Sequence, residues 1–235
     1  TVDFDAISAA DAIALFGFLA AWLGYSLVVD HGPLATRTLS SAMDRERRNW
    51  VEIMQSHDVR IADVNILSGL QQGTAFFASA SILAIGGCLA ILGSSDNVSA
   101  VIEDIVPAGG NSGGALFEAK MIGLAVIFVY AFFKFGWSYR LINYASILAG
   151  ALPPAAQSGT ERATLAIDRA THFLRLGGSN FNRGQRAFNF GLAYLCWLAG
   201  PWYLLGASAL VLLVLVHRQF WSKPAGAFKQ GFHPR

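Results

Sequence analysis

From position 11 to 29 the chain reads DAIALFGFLAAWLGYSLVV, nineteen residues with a single charge, and that charge comes first. An α-helix needs about 20 apolar residues to cross the roughly 30 Å of hydrocarbon in a bilayer. Comparable runs recur at 74–93 (TAFFASASILAIGGCLAILG), from about residue 117 into YAFFKFGWSYR, and across FNFGLAYLCWLAGPWYLLGASALVLLVLVHRQF. In hydrocarbon the backbone must satisfy its own hydrogen bonds, so such runs fold as helices. The 54% hydrophobic content and mean hydropathy of +0.46 agree, and only 14% of residues are charged. A soluble domain carries about a quarter. The expected fold is an all-α polytopic transmembrane helical bundle with cytoplasmic helical extensions.

Charge sets the expected topology. The last apolar region, about thirty residues, is long for one span and short for two. Of the 17 Lys and Arg, Arg37, Arg45, Arg47, Arg48 and Arg60 lie between the first two runs. Lys134, Arg140, Arg162, Arg169, Arg175, Arg183 and Arg186 lie between the third and the last. Arg218, Lys223, Lys229 and Arg235 close the chain, and only Lys120 falls in 94–120 beside Asp96, Glu103, Asp104 and Glu118. A hairpin at Gly200-Pro201 places all but Lys120 on one side, and Trp197, Trp202 and Tyr203 then sit at the interface. The expectation is five spans, about 11–29, 74–93, 117–136, 185–200 and 202–219, with four as the alternative. The N-terminus is expected outside and the C-terminus in the cytoplasm, in a bacterial inner membrane. Acids in TVDFDAISAADAIALF occupy the place of a secretory leader's positive charges, so the first run is expected to remain as an anchor.

Between the spans, two cytoplasmic helical segments are expected at about 33–63 and 160–176, and a flexible basic tail at 222–235. Pro33 suits a first helical turn. Leu39, Met43, Trp50, Ile53 and Met54 then recur at helical spacing among charges, as in an amphipathic helix packed on other helices. The outer loop, ending AGGNSGG, is flexible by composition. In the second span Ala75, Ser79, Gly86 and Ala90 share one face, where small side chains let helices approach closely. Spacing leaves open whether that face packs on this chain or on another subunit; packing within the chain is the expectation.

The chemical signals are sparse. The five histidines sit at span ends or between spans, as solvated or capping residues do, and no pair lies mid-span to hold a haem. Cys88 and Cys196 fall in apolar runs and read as small buried hydrophobes. No zinc-protease, CxxC, phosphate-loop or serine-elbow motif occurs, so no catalytic residue, metal or cofactor is expected. A net charge of +2 without an aromatic-laced basic stripe excludes nucleic acid as the expected partner. Asp11, Glu118 and Lys120 gather at outer span ends, where an ion pair or headgroup contact is expected. Gln71 and Gln72 are expected to bond across helices to the polar end of the third span. The densest polar set comprises Arg60, Lys134, Arg140, Asn143, Asn182, Arg183 and Arg186, with Asp63 and Asn180 alongside. It is expected either to form one basic pocket for lipid headgroups or another anion, or to tie helix ends together. Lys134 lies about 25 Å along the helix from Phe117, at the membrane edge where its stem can snorkel.

The stretches RNWVEIMQSHDVRIAD, GTAFFASASILAIGG, YAFFKFGWSYRLINYASILAGALP and NFNRGQRAFNFGLAYLCWLAGP resemble the bacterial and plant membrane family called domain of unknown function 599. The resemblance covers most of residues 11–222 and implies a multispan membrane protein without an assigned activity. In that family's pattern a histidine often precedes the FNRG-like segment, whereas this chain has Asn180, which argues against histidine-based catalysis there. The expected function is a structural or accessory subunit of a larger membrane complex, binding membrane lipids and other subunits or a second copy. A small-solute or anion channel or transporter is the first alternative, and an enzyme acting on lipid headgroups the second.

Overall fold

The computed structural model describes residues 8–32, 35–94, 114–222 and 226. Pro33, the acids Asp96, Glu103 and Asp104, most of the glycine run and the basic tail with Lys223, Lys229 and Arg235 lie outside the described residues. The fold is all-α, with no strand among the described residues. Its helices are α1 (Ala9–His31), α2 (Leu39–Ser56), α3 (Ile61–Leu92), α4 (Gly114–Gly150), α5 (Glu161–Leu195) and α6 (Pro201–Phe220). Ser8, Thr38 and Thr160 cap α1, α2 and α5 by accepting the N–H of Asp11, Ser41 and Ala163. Gly200, at φ 137°, breaks the last apolar region, and Pro201 opens α6.

Four helices, α1, α3, α4 and α6, are long and apolar enough to cross a membrane. The fifth long helix, α5, is too polar in its first half, which carries Glu161, Arg162, Asp168, Arg169 and Arg175.

Two expected segments differ from the structure. The helical segment expected at 33–63 divides, because α2 ends at Ser56 and α3, which carries the second apolar run, already starts at Ile61. Asp63 holds this corner: its carboxylate accepts Trp50 Nε1 at 2.8 Å and lies 2.8 Å from His57 Nδ1. The stretches 160–176 and 185–200 are in turn not separate, since α5 runs unbroken from Glu161 to Leu195.

A seven-residue rhythm runs along α5 and sets how it packs. Ala163, Ala170, Gly177, Gly184 and Gly191 recur on the face of α5 that meets α4. Opposite them α4 buries Phe128, Phe135 and Ile142, also seven apart. A Cβ built on Gly177 would lie 3.0 Å from Ile142, on Gly184 2.8 Å from the Phe135 ring, and on Gly191 3.0 Å from the Phe128 ring. Position rises along α4 as it falls along α5, so the two are antiparallel, with large side chains of one seated over glycines of the other. A sustained seven-residue repeat is the signature of the knobs-into-holes seam of two helices wound slightly about each other. By the same reasoning α1 and α6 are parallel: Gly17 abuts Leu205, and Tyr25 donates to the Leu215 carbonyl at 3.2 Å. α3 runs antiparallel to α4, from Gln71 beside Asn143 to Phe77 stacked on Phe135.

The small-residue face expected on α3 is turned away from the bundle. The buried face is Leu67, Thr74, Ser81 and Cys88, again seven apart, with Thr74 and Ser81 bonding their own Leu70 and Phe77 carbonyls. Ser79 and Gly86 precede Ser81 and Cys88 by two residues, and Ala90 follows Cys88 by two, a rotation of about 200°. All three are exposed, and Ala75 is half-buried.

Candidate functional site

At the end of the bundle that carries α2, the basic residues expected to cluster divide into two groups, with Lys134 and Arg140 in neither. The first surrounds Asp30, in the last turn of α1. Its carboxylate accepts Arg183 Nε at 2.9 Å and Arg186 Nη2 at 2.9 and 2.7 Å. Arg186 is only 7% exposed, and its Nε is buried with no hydrogen-bond partner among the described residues. α2 is fastened here by Ser40, whose hydroxyl oxygen accepts Asn182 Nδ2 at 3.2 Å and Gln219 Nε2 at 3.0 Å. Between α1, α2, α5 and α6 lies a cavity of about 180 Å³, lined by Tyr25, Arg47, Gln185, Arg186, Asn189 and Arg218 among others.

The second group joins α3 to α4. Arg60 donates to the carbonyl of Ala149 at 3.1 Å, which also accepts the Leu152 N–H, and reaches the carbonyl of Leu152 just past α4 at 3.5 Å. Gln71 donates to Asn143 at 2.6 Å and Ser146 at 3.3 Å, the cross-helix bond expected of it, while Gln72 is exposed. A second cavity, of about 300 Å³, lies between Met54, Arg60, Asp63, Leu67, Gln71 and Ala149. Gln55, on α2, keeps a buried Nε2 with no partner among the described residues.

Lys134 and Arg140 belong to neither group, and each rests on a tyrosine of its own helix. Lys134 lies over the Tyr130 ring at 5.3 Å. Arg140 is exposed and donates to Tyr144 Oη at 2.6 Å. The single basic cluster expected from sequence is therefore not formed. Asn182, Arg183 and Arg186 stand together, Arg60 and Asn143 belong to the α3–α4 joint, and Lys134 and Arg140 stand apart. The buried positions of α4 here are 131, 135, 138, 141 and 142. Residues 134 and 140 fall off that face, and this separates them from α5.

At the opposite end, Lys120 is 4% exposed and Asp11 7%. Lys120 Nζ is 3.6 Å from Asp11 Oδ1, donates to the Trp197 carbonyl at 3.3 Å and lies 5.1 Å from the Trp197 ring centroid. Trp197 Nε1 donates to Asp11 at 2.7 Å, and the Ser8 hydroxyl does so at 2.6 Å. Glu118 takes no part and is exposed. These bonds join the start of α1, the start of α4 and the turn after α5.

Sequence reasoning missed Asp30, Arg47, Gln185, Asn189 and Arg218. A signal was present in NRGQRAFN, which sets polar residues at 182, 186 and 189 on one helical face. The acid closing the first apolar run was the obvious partner for the arginines. Among the described residues no three His, Cys, Asp or Glu side chains gather as they would to hold a metal ion.

A bundle of long apolar helices, tied by polar joints at both ends, defines an integral membrane protein of the all-α class. The chain belongs to the protein family of unknown function DUF599, whose family model matches residues 13–224. No curated protein and no solved structure matches it.

Proposed function

We propose that this chain is a structural or accessory subunit of a larger membrane assembly, binding partner helices and anionic lipid without catalysing a reaction. The observation that carries this reading is the outward face of α3. Only 11% of the residues in the most apolar stretch of this helix are buried, against 44% for α4, and Ser79, Gly86 and Ala90 are turned outward. Small side chains on an apolar helix allow the backbone of another subunit's helix to approach closely. The polar joints support the same reading, since Arg60 and Gln71 are engaged in holding helix to helix.

In this reading the membrane is a bacterial inner membrane, with α2 in the cytoplasm and the N-terminus outside. The second half of α5 is the fifth span. Its antiparallel run along α4 and the parallel pairing of α1 with α6 support that count, and the Lys and Arg distribution supports the orientation.

Purification in mild detergent tests the proposal. Co-migration with one partner at fixed stoichiometry is expected, and Gly86→Leu should abolish it while leaving the isolated subunit's melting temperature unchanged. A monodisperse homo-oligomer enclosing a polar pore would overturn the proposal. An anion channel or transporter is the second reading, favoured by the cavity beside Arg186. Its mark would be anion flux in liposomes that Arg218→Gln alters.

A further inference from the structure

The cavity between α1, α2, α5 and α6 combines features that point to one ligand chemistry. Arg47, Arg186 and Arg218 line it, and no carboxylate among the described residues does. Arg47 is ion-paired to Asp44 on its own helix, which leaves Arg186 and Arg218 as the cations for a ligand. Asp30 lies behind Arg186 and shares its single charge with Arg183, so the pair of guanidiniums stays in positive excess. Asp30 engages Arg186 through Nη2 alone. The Nε–H of the same guanidinium is buried and has no acceptor among the described residues. Buried donors in folded proteins nearly always find an acceptor, and on a fixed, charged fork the fitting acceptor is an oxyanion.

The rest of the lining agrees. Arg218 is exposed, so its guanidinium is available at the rim, and the half-buried amides of Gln185 and Asn189 can donate from the wall. At about 180 Å³ the cavity far exceeds the ~10–15 Å³ of water-probe volume that one water needs.

We propose that this cavity binds a phosphate group, held by the guanidinium of buried Arg186 and by Arg218 at the rim. The phosphate belongs to an anionic lipid headgroup or to a soluble phosphate. The proposal deepens the lipid-binding part of the function proposed above and is independent of its partner-helix part. A failure here leaves the co-migration test untouched, and a failure there leaves this one untouched.

The test uses the intact protein purified in dodecyl maltoside, with phosphatidylglycerol, phosphatidylcholine and inorganic phosphate as probes. Thermal unfolding and native mass spectrometry are the readouts. Phosphatidylglycerol or inorganic phosphate should raise the melting temperature saturably where phosphatidylcholine does not, since a ligand of the native state stabilises it. Arg218→Gln and Arg186→Lys should each weaken that binding about tenfold. Arg186→Lys keeps the charge facing Asp30 while removing the guanidinium fork. Arg140→Gln, remote from the cavity, should leave binding unchanged. A shift by phosphatidylglycerol alone assigns the site to a headgroup, and a shift by inorganic phosphate alone assigns it to a soluble anion. Competition between the two places both in this cavity. Absence of any shift, or a shift that survives both cavity variants, overturns the proposal. If Arg186→Lys fails to fold, Arg218→Gln on the exposed rim still decides.

Discussion

The ring of Phe135 fills the space over Gly184 that a side chain there would need: a Cβ on Gly184 would lie 2.8 Å from it. Both residues are buried, and Phe77 stacks on the same ring at 5.4 Å between centroids. Gly184→Ala is therefore expected to destabilise the protein by about 1–3 kcal/mol through overpacking. Gly136→Ala, where a Cβ meets nothing within 4 Å, should be neutral or stabilising. Melting curves in detergent check both, and Phe135→Leu should rescue Gly184→Ala in part. Equal melting temperatures for the two alanine variants would refute the close seam.

Asp30→Asn leaves buried Arg186 facing a neutral amide. Removing one partner of a buried ion pair destabilises by about 3–5 kcal/mol, and the expected loss approaches that range because Arg186 is 7% exposed. Arg183→Gln should have a smaller effect, its side chain being 34% exposed. Thermal unfolding of the two variants decides, and the reverse order would be incompatible with Arg186 as the buried member.

Lys120→Met and Asp11→Asn each strand a partner at the opposite end of the bundle. The double variant should be less destabilised than the sum of the singles, because it removes both buried charges together. Strict additivity in a double-mutant cycle would contradict the 3.6 Å pairing.

Arg60→Gln removes the donor that reaches the carbonyls of Ala149 and Leu152. Amide hydrogen exchange should accelerate across the last turn of α4 and stay unchanged at its middle. Uniform exchange along α4 would mean that Arg60 does not hold that end.

Arg140→Ala should change stability by no more than about 0.5 kcal/mol, as surface substitutions usually do. Its contact with Tyr144 is exposed and local to one helix. A large loss of stability would place Arg140 in a joint that the structure assigns to Arg60 and Gln71.

Apolar runs of bilayer length determined the helical class, and Gly200-Pro201 was legible as a break because backbone chemistry is local. The Asp11–Lys120 pair and the bond from Gln71 were legible too, since polar groups at span ends need partners. The face that each helix buries was not legible. On α3 both the outward set at 79, 86 and 90 and the buried set at 67, 74, 81 and 88 keep helical spacing, and only contact with α4 distinguishes them. Periodicity along one helix shows that it has faces; it carries no information about which neighbour each face meets.

The basic residues follow the same division. Their positions in sequence marked one end of the bundle, and an arginine's reach of several ångströms made a single cluster look plausible. The tertiary structure decided otherwise by rotating Lys134 and Arg140 off the α4–α5 seam and bringing Asp30 to Arg186 across 156 positions of sequence. Helix identity depends on bonds four residues apart, which sequence encodes directly. Partnership between distant charges depends on how whole helices rotate and register, which packing of residues such as Phe135 on Gly184 determines.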